Sequence, residues 1–122
     1  MTTLPTQFQP VDARSYVNRR LGAALAKATA TTLYEVPADS TARVDTVFIT
    51  SVHTGNETVR LHHVRPGEDA STSNALYYDL SVQAKSTTVL FDAGILMTPG
   101  DRLVMVASHA DRICVTVYGA ER

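Results

Sequence analysis

The run "HHVRPGED" holds the residues in which metal chemistry would first be sought: His62 and His63, with Glu68 and Asp69 just beyond. A metal held by imidazoles and carboxylates needs its ligands on one side. Neighbouring residues of a strand point to opposite faces, so only one of the two histidines can face inward. The acids follow Pro66-Gly67 and therefore fall in a loop. The spacing argues against a metal site and for histidines on a strand surface or at a subunit contact, and no cofactor is expected.

Other catalytic patterns are equally sparse. Serine and threonine are abundant, but no Gly-x-Ser-x-Gly elbow appears and no Gly-rich phosphate loop exists. Asp79, Asp92 and Asp101 stand at strand ends, where turn-forming Asp is common, which weakens them as a glycosidase pair. The sole cysteine, Cys114, sits in "RICVTVYG" among residues that look core-facing and reads as a small buried hydrophobe. A sugar platform would have to use Tyr16, Tyr34 or Tyr118, because Trp is absent and the adjacent Tyr77 and Tyr78 must diverge. One of that adjacent pair is expected in the core. The chain is read as non-enzymatic.

Composition narrows the partners. Eleven basic and 12 acidic residues give a net charge of −1, too little positive charge for a nucleic-acid binder and no support for binding an anionic membrane. No apolar run approaches the ~20 residues of a spanning helix, and "MTTLPTQFQPVDARSYVNRR" lacks the apolar core of a signal peptide. Synthesis in a cytoplasm is the expectation. At 122 residues the sequence suits one domain able to bury its own core.

Behind these residues lies a regular beat of strands and turns. Residues 1–14, with Pro5, Pro10 and only Leu4, Phe8 and Val11 as apolar anchors, read as an extended arm. Residues 15–28 suit a short edge strand, so the organisation is an N-terminal arm with that strand over 1–27 and a β-domain over 28–122. Alternating runs follow as "TATTLYEV", "ARVDTVFITSVH", "ETVRLHHVRP", "ALYYDLSV", "STTVLFDA", "GILMTPGD", "RLVMVASH" and "RICVTVYGAE", separated by Gly, Pro, Asn and Asp. In the second of these, Val44, Thr46, Phe48 and Thr50 share a face and Val47, Ile49 and Val52 lie near the other, which calls for a bulge where the phase shifts. In the third, Val59, Leu61 and His63 share one face, and Arg60, His62 and Val64 the other. The fold class is all-β, an antiparallel two-sheet sandwich of jelly-roll-like form.

The strand and turn "TTLYEVPA", the valine-rich strand after it, and "GILMTPGDRLVMVAS" before the final "ICVTVYGAE" resemble small β-sandwich structural proteins of tailed bacteriophages, over roughly residues 28–120. That resemblance implies a virion protein, as a capsid decoration (cement) protein or a small tail or fibre-associated component. It implies the major capsid protein or other virion proteins as partners, and self-association as a trimer. The arm is then the expected bridge, with Leu4, Phe8, Val11, Tyr16, Arg19 and Arg20 touching the capsid. Val59, Leu61, His62 and Val64 are the expected self-association contacts.

Overall fold

The structure, a computed structural model, describes residues 15–122. Nine strands occur among them: β1 (Val17–Leu25), β2 (Thr31–Glu35), β3 (Ala42–Ser51), β4 (Glu57–Val64), β5 (Ala75–Val82), β6 (Thr87–Leu90), β7 (Ile95–Met97), β8 (Arg102–Ala107) and β9 (Ile113–Glu121). One 3-10 turn, Thr72–Asn74, precedes β5. Val, Ile and Thr fill these strands because branched side chains suit the pleated surface better than a helix.

Two antiparallel sheets form, one ordered β1-β9-β3-β6 with β7 also on β3, the other β2-β8-β4-β5. The pairing is nested: β1 lies on β9, β2 on β8, β3 on β6 and β7 together, and β4 on β5. This is a long hairpin rolled into a sandwich, the jelly roll. Its sixth element is interrupted, since β6 pairs with Val47–Thr50 and β7 with Ala42–Val44. Residues 91–94 form the excursion between them, helped by positive φ at Asp92 (52°) and Gly94 (63°). The Ala93 N–H returns to the Asp45 carbonyl at 2.9 Å.

The core lies between the sheets. Val44, Val47 and Ile49 of β3 and Val115 and Val117 of β9 meet Val59 and Leu61 of β4 and Leu103 and Met105 of β8, all at most 1% exposed. Each such side chain contributes on the order of 1.5–3 kcal/mol by leaving water. The expected bulge in β3 is present at Asp45, between Val44 and Thr46. It corrects the face assignment: Val44 joins Val47 and Ile49 inside, while Thr46, Phe48 and Thr50 face out. Val52, expected near the inner face, lies past the strand end and is exposed. Tyr77 packs against the core, and Tyr78 is outside.

β1 is an edge strand of the five-stranded sheet, paired along its length with β9 and kinked between Arg20 and Gly22. Cys114 is a correction to the sequence reading. Its neighbours Ile113 and Val115 point inward, so Cys114 itself faces outward and is only half-buried.

Candidate functional site

His62 and His63 do part to opposite faces of β4. His63 lies opposite Leu103 on the inner side, and His62 opposite Val104 on the outer side. The His63 ring meets the Asp101 carboxylate, Nε2 to Oδ2 at 2.8 Å. Burial pushes the Asp101 carboxyl upward, but the Thr98 N–H and hydroxyl together with His63 outweigh it and hold it below its ordinary value. Asp101 Oδ1 is buried with no hydrogen-bond partner. His62 bonds Asn74 Oδ1 at 3.0 Å, and Asn74 closes a capping box with Ser71. The loop of residues 65–74 is thereby tied to the outer side of β4, and Arg102 holds it again through the Glu68 carbonyl at 2.9 Å. Both histidines are bound into the fold. Glu68 and Asp69 stay in the loop, where the Glu68 carboxylate accepts the Arg65 N–H.

A denser polar cluster lies elsewhere, around Glu57, which is 4% exposed at the start of β4. Oε1 accepts from Ser108 Oγ at 2.7 Å and from His109 Nδ1 at 2.8 Å, and Oε2 accepts from Arg112 at 3.2 Å. Those bonds, led by Ser108 and His109, depress the Glu57 carboxyl to about 2. His53 Nδ1 stands 3.5 Å from Oε2, but it already accepts the Gly55 N–H at 3.0 Å, so a neutral His53 has no proton to offer there. Ser, His and Glu together suggest a triad, yet the Ser108 proton goes to the carboxylate and Oγ also accepts the Thr58 N–H. No base activates the hydroxyl, and the cluster is a clasp joining β4 to the β8–β9 turn. Sequence parity carried a signal for it: the alternation that turns Val59 and Leu61 inward also turns Glu57 inward, where a carboxylate needs partners.

Among the described residues no group of three or more His, Cys, Asp or Glu is arranged to hold a metal ion. The three aspartates have separate tasks. Asp79 pairs with Arg60 at 2.7 Å, which lowers its carboxyl, Asp92 sits in the β6–β7 excursion, and Asp101 is buried. The three tyrosines form no joint platform. Tyr34 is buried with its hydroxyl on Glu121, and burial followed by that carboxylate pushes its pKa up. The Tyr16 ring lies between the Arg43 and Arg122 guanidiniums, at 5.6 and 4.8 Å, and Tyr118 packs edge-on against Phe48 with ring centres 5.7 Å apart.

What the fold leaves open is a surface. On the outer face of the five-stranded sheet, Ala23, Thr116, Phe48 and Val89 form one row, and Arg20, Tyr118 and Thr46 the next. Leu25, Cys114, Thr50 and Thr87 form a third. Arg20 is the only charge in these rows. Leu96 and Phe91, at the free edge beyond β3, are 70% and 73% exposed. The opposite sheet differs, since its outer face carries the Arg60–Asp79 pair with Arg60 4.0 Å over the Tyr78 ring, and the 65–74 loop covers one end. An antiparallel sheet facing water normally alternates apolar with polar; here one outer face does not.

The expected contact residues separate accordingly. Tyr16, Arg19 and Arg20 are exposed on or before β1, with Arg19 paired to Glu121. Leu4, Phe8 and Val11 lie outside the described residues. Val59, Leu61, His62 and Val64 are 1%, 1%, 3% and 0% exposed, so none presents a surface to a second copy. Val59 and Leu61 belong to the core. His62 and Val64 do face outward, but they are buried on the side to which the 65–74 loop is tied.

No family model and no curated protein matches the sequence. Two solved virus structures are similar in arrangement. A chain of infectious bursal disease virus, Gx strain, aligns at 12% identity and a TM-score of 0.47, over 88% of this chain and 30% of that one. The tobacco streak virus coat protein dimer aligns at 13% identity and a TM-score of 0.38, over 88% of this chain and 83% of that one. This chain thus spans under a third of the length of the first. Nothing about function follows from either likeness.

Proposed function

We infer that the chain is a non-enzymatic structural component of a virion, and within that role a bacteriophage capsid decoration protein that joins major capsid subunits. The observation that carries this reading is the bare outer face of the five-stranded sheet. Apart from Arg20 and Cys114 its side chains are threonine, aromatic and aliphatic, and they suit close contact with another protein surface. Polar clusters that might have formed a reaction centre are instead spent within the fold, at Glu57 and at His63–Asp101. The sequence resemblance to small structural proteins of tailed phages supplies the virion context.

The partner contacts belong to that sheet face and to the arm that precedes it, through Leu4, Phe8, Val11, Tyr16, Arg19 and Arg20. Trimeric association on the capsid belongs to the same reading and uses this face in place of the buried β4 positions. The test is cryo-electron microscopy of the particle whose genome encodes the chain. Density for the sandwich on the outer capsid surface, with Phe48 and Tyr118 within contact distance of a neighbouring subunit, is the expected result. Density at the tail, or no density and no copies by mass spectrometry of purified particles, overturns it.

A further inference from the structure

We propose that copies of this chain join edge to face: the Phe91–Asp92 turn of one copy seats its ring in the depression beside Phe48 and Tyr118 of the next, and Asp92 pairs with that copy's Arg20.

Both halves of this contact stand on the chain unfilled. Phe91 and Leu96 are 73% and 70% exposed on the β6–β7 edge, where a sheet is normally blunted by charge, proline or a covering loop. The turn that carries Phe91 is anchored from beneath. Ala93 packs against the core and its N–H meets the Asp45 carbonyl at 2.9 Å, which leaves Phe91 and Asp92 outside. The Asp92 carboxylate has no ion pair or hydrogen bond among the described residues. The outer face of the five-stranded sheet supplies the other half. Thr46, Phe48, Thr116 and Tyr118 line an open depression of about 430 Å³, built on the edge-on Phe48–Tyr118 pair. A neighbouring hollow of about 360 Å³ shares Thr46 and Tyr118 with it and includes Arg20. Arg20 is exposed and unpaired among the described residues, whereas Arg19 and Asp45 in the same hollow are taken by Glu121 and Arg43.

The occupant is a second copy because the halves match in chemistry and in charge. An aromatic side chain has roughly 150–250 Å² to bury and packs well against other rings edge to face, which Phe48 and Tyr118 offer. A carboxylate without a partner adjoins the ring, and a guanidinium without a partner adjoins the depression. Pairing them compensates the one charge in the contact rows, and charges placed at the rim of an interface fix its register and its partner. Phe91 does not fill the depression of its own chain, since it is absent from the lining and left in water. Edge and face are different surfaces, so the contact is head-to-tail and closes as a ring. The ring size, three, rests on the trimer of the proposed function.

The contact is tested on free, full-length protein and the decoration reading on particles, so either can fail alone. Self-association is measured by sedimentation equilibrium for the parent, Arg20→Glu, Asp92→Lys and the double variant, each checked by circular dichroism. Lys85 adopts φ 53° in this chain, so lysine suits the left-handed backbone at Asp92. Each single reversal sets like charges against each other and should weaken association about tenfold or more, while the double variant should return to within about threefold of the parent. Equal association in all four proteins, a double variant no tighter than the singles, or a parent that stays monomeric at every concentration overturns the proposal. A cross-link serves where a charge variant misfolds. In full-length chain carrying Cys114→Ser, Phe91→Cys and Thr116→Cys are introduced and oxidised under mild conditions, and the expected products on a non-reducing gel run up to a covalent trimer. Products that stop at the dimer, a disulfide within one chain, or the absence of any cross-link overturn it.

Discussion

Gly119 is the glycine whose surroundings leave least room for a side chain. It pairs with Val44 at the β3 bulge, and a Cβ there would stand 1.9 Å from the Arg43 carbonyl oxygen, 2.9 Å from its carbon and 3.0 Å from Val44 Cα. All three are backbone atoms, so no rotamer change relieves the clash. Ordinary contact begins near 3.4 Å, so β3 and β9 would have to separate locally by about 1.5 Å. Such a shift adds an overpacking cost of about 1–3 kcal/mol to the loss of one or two ladder hydrogen bonds, each about 1 kcal/mol net. Gly119→Ala should therefore destabilise by about 2–5 kcal/mol, which at about 4 °C per kcal/mol lowers the melting temperature by roughly 8–20 °C. Two other glycines calibrate the measurement. Gly67 has φ +84° and open space around its Cβ, so Gly67→Ala should cost only the left-handed backbone penalty of about 1–2 kcal/mol. Gly55 meets nothing but the His53 ring, at 3.4 Å and beyond, and Gly55→Ala should fall within about 1 kcal/mol of neutral. Thermal and urea unfolding followed by circular dichroism gives the order. If Gly119→Ala melts within about 4 °C of the parent, or no lower than Gly67→Ala, the close approach of β3 and β9 is wrong.

Leu61→Ala should cost about 2–5 kcal/mol in urea unfolding without altering the oligomeric state that light scattering reports for the folded protein, because Leu61 lies in the core and not at an interface. Glu57 is held at about 2, below the value near 4.5 of a free carboxyl, so its contribution is full above pH ~4.5 and disappears as pH falls toward 2. The melting-temperature gap between the parent and Glu57→Gln should accordingly be widest above pH 5 and narrow across that window; a gap that widens on acidification refutes the clasp. Lys85 adopts φ 53° in the turn before β6, and Lys85→Gly should leave the melting temperature unchanged or raise it by the equivalent of up to about 1 kcal/mol. Arg60→Ala should shift it by no more than about 1 kcal/mol, since the Arg60–Asp79 pair is solvent-accessible.

Alternation made the strands and their faces legible. The parity of "ETVRLHHV" puts His62 and His63 on opposite faces of β4, as they are found. Parity is blind, however, to what covers an outward face. Val64 and His62 occupy outward slots and are still buried, because the 65–74 loop is tied to that side; a loop's path depends on bonds such as His62–Asn74 that no period encodes. The β3 bulge was expected in kind but its position was not, since moving it by one residue exchanges Val44 between faces and the sequence around Asp45 offers apolar residues in both phases. Cys114 was misplaced for a related reason. Its sequence neighbours Ile113 and Val115 are core-facing, and direct neighbours in a strand are by geometry on the other side.

The two outer faces of the sandwich divide its work. A loop bound through His62, Asn74 and Arg102 closes one end of the four-stranded sheet, and the Arg60–Tyr78–Asp79 group keeps the remainder polar. On the five-stranded sheet a comparable group, Asp45 and Tyr16 on Arg43, stands only at one end of β3, and over the rows beyond it threonines alternate with Phe48, Tyr118 and Val89. Threonine is the residue that allows such a face to exist in two conditions. Its hydroxyl tolerates water while the surface is free, and its methyl group contributes apolar contact when the surface is covered. Replacing that face with charged residues would improve solubility and leave the core untouched, because Thr46, Thr116 and Phe48 point away from it. The buried core does not include that face, and this is the observation on which the proposed contact role rests.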